Sequence, residues 1–201
     1  MLVSAIILGW IGVFIFIVII SFYRSMTNNN EYALLHVFMT FMYVMWLPVP
    51  IALSKLLNSE VLYVGSIFGF TYILMLVITM ALQVGHIASI VKHNGDKSIT
   101  DQQANYMMRT LSNPYEGIAN VFKCIYSIYL AITFWKNGEL LMGSIMGFFS
   151  LLLFYYLLIV INASLLRQLK VISKLKPNYY FTNLETLLFF IILISYMTFN
   201  Y

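Results

Sequence analysis

Long apolar runs separated by short polar connections make up the whole chain, and run length decides what they are. Six runs, at about 2–23, 31–54, 61–91, 116–135, 140–166 and 183–200, approach or exceed the roughly 20 residues a helix needs to cross a hydrocarbon core. The expected fold is therefore an all-α integral membrane protein with six transmembrane helices, residues 1–201 forming a single polytopic domain. The last run is the weakest span. Its uncharged part, 186–201, reaches full thickness only if helix begins near Thr182.

Breaks in the pattern add detail. Trp46-Leu47-Pro48-Val49-Pro50 interrupts the second run, and prolines that remove backbone donors predict a bend there. Tight turns are expected at 55–60 and 136–139. The third run is longer than a span requires, so it should tilt or project. Between 92 and 115 lies the longest polar segment. Thr100-Asp101-Gln102-Gln103 reads as a helix start, and Ala104, Met107, Met108 and Leu111 share a face, predicting a short interfacial helix around 100–111.

One motif recurs. GSIFGF at 65–70 returns as GSIMGF at 143–148, each after a connection holding Lys, Asn and Glu (Lys55, Asn58 and Glu60; Lys136, Asn137 and Glu139). Both copies place glycines four apart, at Gly65 and Gly69 and at Gly143 and Gly147, the spacing that lets helices approach closely. The pattern suggests parallel two-helix repeats using one packing surface twice. Gly9-Trp10-Ile11-Gly12 in the first run is at most a faint third copy.

Composition confirms the class, since 62% of residues are hydrophobic and 9% charged, against about a quarter charged in soluble domains. The net charge of +4 is read as orientation rather than nucleic-acid binding. The first, third and fifth connections hold Arg24, Lys92, Lys97, Arg109, Arg167, Lys170, Lys174 and Lys176; the second and fourth hold Lys55 and Lys136. By the positive-inside rule the basic loops are cytoplasmic and both termini extracytoplasmic, in a cell membrane. No charge precedes the first run and no cleavage site follows it, so that run is kept as a span rather than a signal peptide. Each helix leaving the basic side carries a cap-like residue three before a glutamate: Asn28 and Glu31, Asn113 and Glu116, Thr182 and Glu185. Three glutamates at a membrane boundary could form a proton or cation site, but local capping accounts for all three carboxylates at this level and is preferred.

Polar residues inside the spans gather toward the basic side: His36, Gln83, His86, Asn120, Lys123 and Asn162. They form the candidate polar pocket, open to the cytoplasm, against the plainer view that they lie near the interface. Lys123 in particular is expected to snorkel toward the headgroups. His36 and His86 sit at similar depth, as axial haem ligands would, but no attachment motif or second pair accompanies them, and no cofactor is expected. His93, His36 and His86 with the single Cys124 lack metal-ligand spacing. No hydrolase, metalloprotease or phosphate-loop motif is present, so the chain is read as a non-enzyme. Two functions then fit. The first is a non-enzymatic accessory or protective, immunity-like protein acting through helix–helix contacts, with the lipid bilayer, another membrane protein or a second copy as partner. The alternative is a small-solute or ion carrier with a cytoplasm-facing polar pocket.

Overall fold

Backbone groups in apolar surroundings must bond one another, and the helix does this locally. The computed structural model describes residues 1–92, 97–165 and 177–201, and all regular structure within them is helical. In order come α1 (Leu2–Asn28), α2 (Tyr32–Trp46), α3 (Val49–Leu57), α4 (Glu60–Lys92) and α5 (Lys97–Met107). A π-helical turn (Met108–Ser112) then leads to α6 (Asn113–Lys136), α7 (Leu140–Ser164) and α8 (Tyr179–Phe199). Six helical segments are long and apolar enough to cross a membrane, with α2 and α3 counting as one and α6 including the π turn and part of α5. His93 and the cluster Arg167, Lys170, Lys174 and Lys176 lie outside the described residues, as do the side chains of Thr100 and Asp101.

The proline break falls where the sequence puts it. Leu47 N–H turns back to the Val44 carbonyl (3.2 Å), and the helix restarts with Ala52 N–H on the Pro48 carbonyl (2.9 Å). Ser66 on α4 reaches across to the Pro50 carbonyl (3.0 Å), tying α3 to the next helix. The turns at this end of the bundle each pass through a left-handed residue, Asn58 (φ 43°) and Gly138 (φ 81°). This is called the turn end below. The opposite end, with exposed Arg24, Lys92 and Arg109, is the basic end.

Three local expectations change. The segment around 100–111 is not a separate surface helix: α5 packs against α4 and continues through the π turn into α6. Gln83 Nε2 supports that turn by donating to the Leu111 carbonyl (3.4 Å). The three caps also differ. Asn28 closes α1, and Glu31 itself stands at the start of α2 without a side-chain bond. Ser112 precedes α6 in a helix that runs on, so Asn113 has no free terminus to cap. Asn178 caps α8 by accepting from Phe181 N–H (3.1 Å), leaving Glu185 well inside the helix.

The third change concerns the repeat. Gly65 and Gly69 on α4 receive Tyr129 and Tyr126 of α6, and Gly143 on α7 receives Trp135, also of α6. A repeated packing surface would have set the α4 glycines against α2 and α3. Because α6 stands between α4 and α7, both glycine stripes turn toward its bulky aromatics instead.

The spans α1, α2, α4, α6 and α7 form an arc, each packing on the next. The weakest span in the sequence, α8, stands against its inner face and touches every one. Ile194 covers Gly9 of α1; Phe190 stacks on Trp46 of α2 (4.1 Å between centroids) and on Tyr72 of α4 (6.3 Å). Phe189 meets Tyr126 of α6 and Phe149 of α7 edge-on. Trp46 is fully buried, donates to the Gly9 carbonyl (3.1 Å), and lies so near Gly12 that no Cβ fits there.

Candidate functional site

Two helix faces bring the site together. On α6, Ala119, Asn120, Lys123, Tyr126, Ser127 and Leu130 recur at spacings of three and four and are buried. On α8 the same spacing buries Glu185, Thr186, Phe189, Phe190 and Leu193. Where these faces meet, Lys123 Nζ pairs with Glu185 Oε2, the side chains being 1% and 6% exposed. Lys123 thus points inward and does not snorkel. It lies about 15 Å along α6 from Asn113 at the usual 1.5 Å per residue, and Glu185 about 9 Å into α8.

Neighbours complete the pair. Nζ also donates to Thr186 Oγ1 (3.1 Å), Tyr156 hydroxyl donates to Glu185 Oε2 (3.2 Å), and Tyr72 hydroxyl bonds Thr186 Oγ1 (3.3 Å). The ammonium sits 5.4 Å from the Tyr72 ring centroid and 5.3 Å from that of Tyr156, within cation–π range. Fixed partners on several sides are what an ion pair needs to repay its lost hydration. Glu185 Oε1 remains buried without a hydrogen bond.

A second acidic group lies nearer the basic end. Glu116 Oε1 accepts from Ser112 Oγ (2.7 Å), and the Gln83 amide lies near both Glu116 and His36. The His36 ring is anchored at Nδ1 to the Tyr32 carbonyl (2.7 Å). Tyr43, buried on α2, lies within electrostatic reach of both Glu116 and Glu185. A cavity of about 20 Å³ beside Glu116 is lined also by Asn113, Asn120, Tyr156, Tyr179 and Thr182. Asn120 donates from Nδ2 to the Glu116 carbonyl (2.8 Å), while its Oδ1, in a side chain 3% exposed, has no partner. Across the cleft, Tyr179 hydroxyl donates to Asn113 Oδ1.

Of the six polar residues singled out in the sequence, Asn120, Lys123, Gln83 and His36 join this region. His86, half-buried on α4, takes no part in its hydrogen bonds, and Asn162 lies farther along α7, outside the cavity wall. Thr186, Tyr72 and Tyr156 belong to the site and were not singled out for it, and Glu116 and Glu185 also belong to it although capping was preferred over a proton or cation site for them. A lysine and a glutamate at comparable depth, each read through its own local surroundings, were the available signal. A larger groove of about 470 Å³ at the turn end, lined by Ile51, Lys55, Tyr63, Ile67 and Phe70, is mainly apolar. Comparison with known protein families, curated proteins and solved structures yields no match.

Proposed function

We propose that this chain is a multi-pass protein of the cell membrane that carries a small solute or ion. Its site is the Lys123–Glu185 centre, and the entrance is the Glu116 cleft on the cytoplasmic side. The supporting observation is the paired charge itself, held inside the bundle among Tyr72, Tyr156 and Thr186. Ionisable groups in a membrane interior are costly, face the bundle core, and typically mark a pathway or binding site. Orientation follows from the eight basic residues in the odd-numbered connections against two in the even ones, which sets the basic end inside and both termini outside.

The reading as an accessory or protective protein drew on the glycine stripes as surfaces for a partner. Tyr126, Tyr129 and Trp135 of the same chain already fill them, so this support is weaker than the stripes alone suggested.

Native mass spectrometry of the protein, gently extracted from its own membrane, tests the choice. The carrier reading expects the chain alone or as a homodimer, with a small ligand retained. A second protein at fixed stoichiometry would overturn it in favour of the accessory function.

A further inference from the structure

We infer that the cleft between α6 and α8 binds one small monovalent alkali cation of the size of Na⁺, held by the Glu116 carboxylate and the Asn120 carbonyl oxygen. Charge balance is the first reason. Lys123 is neutralised by Glu185, and Glu116 has no basic partner among the described residues, so its carboxylate, when ionised, has no counter-charge paired with it. The second reason is Asn120: its side chain is nearly fully buried on the cavity wall, its amide nitrogen is committed to the Glu116 carbonyl, and its oxygen is unpartnered. A buried acceptor in that state calls for a donor or a cation.

Composition of the wall narrows the ligand. Thr182 and Tyr156 add hydroxyl oxygens to those of Glu116 and Asn120, an all-oxygen set suited to a hard ion. With one carboxylate, the site supplies a single formal charge, which matches a monovalent ion. No group of three or more His, Cys, Asp or Glu that could hold a metal exists among the described residues, which argues against a transition-metal site built on nitrogen and sulfur ligands. A volume of about 20 Å³ suits one occupant of about water size. The Ser112 hydroxyl holds the carboxylate in place from outside the cavity. This inference stands without the carrier reading, because equilibrium binding needs no transport.

Equilibrium binding of radiolabelled Na⁺ to the full chain in nanodiscs tests it. The expected result is saturable binding approaching one ion per chain, displaced by unlabelled Na⁺ and untouched by choline. Glu116→Gln should weaken affinity by about tenfold or more, and Asn120→Ala should weaken it while leaving the carboxylate intact. His86→Gln, outside the cleft, serves as the control and should bind as the parent does. Absence of saturable binding overturns the inference, as does equal competition by choline or unchanged affinity in both Glu116→Gln and Asn120→Ala. Should Glu116→Gln fail to fold, Asn120→Ala decides alone. Saturable binding without any flux would retire the carrier proposal and leave this one standing.

Discussion

A lysine and a glutamate in an apolar interior each lose hydration worth several kcal/mol, and only close, fully bonded geometry repays it. Lys123 and Glu185 come close to that geometry, with Glu185 Oε1 left unbonded, and either one alone would be a liability. Lys123→Met should therefore destabilise the protein by about 3–5 kcal/mol, whereas Lys123→Met with Glu185→Met should recover most of the loss. Unfolding of the single and double variants in mild detergent measures both. Glycine positions give a sharper contrast. At Gly12 a Cβ would lie 2.4 Å from Nε1 of Trp46, a fully buried ring fixed by its bond to Gly9, so Gly12→Ala should cost about 1–3 kcal/mol. At Gly147 the nearest atom is 3.4 Å away, ordinary contact, and Gly147→Ala should stabilise by up to about 1 kcal/mol through helix propensity. The same thermal unfolding assay ranks the pair. At this scale the sequence was least transparent. Thr182 and Glu185 have the spacing of a cap, but Asn178, just after Pro177, caps the helix earlier, leaving Glu185 free to meet a lysine 62 positions away.

Helices, turns and breaks were more legible, because each is set by nearby residues. Run lengths gave the spans, Pro48 and Pro50 gave the break, and the Asn58 and Gly138 turns fell between the expected runs. What escaped was continuity. A polar stretch suggested a separate surface helix, yet the chain runs from α5 into α6 through the Met108–Ser112 π turn, since Gln83 of another helix supports the Leu111 carbonyl. π turns often accompany functional sites, and this one delivers Ser112 to Glu116. Gln83→Leu removes the donor to the Leu111 carbonyl in the turn and should cost about 1–3 kcal/mol. His86→Leu, one turn along α4, should be nearly neutral. Denaturation of the two variants side by side checks the difference.

Over the whole molecule, hydropathy ranks spans by how apolar they are and says little about where they stand. Of the six, α6 and α8 are the least apolar, and α6 is the most buried, because the polar groups that lower its hydropathy face the bundle interior. α8 contacts all five others through Glu185, Phe189, Phe190 and Ile194, which is why its modest length misled as to its importance. A chain ending before Tyr179 should lose its fold, seen as aggregation on size-exclusion chromatography, while a sharp monodisperse peak would deny α8 its central place. The carrier proposal rests on the charges that α8 brings to α6, and a folded protein lacking them tests it most directly. Proteoliposomes holding either the parent or the Lys123→Met, Glu185→Met double variant, given a Na⁺ or proton gradient, should show protein-dependent ion movement only with the parent. Equal movement in both would contradict the account, and none in the parent would rule out ion carriage and confine the proposal to a solute.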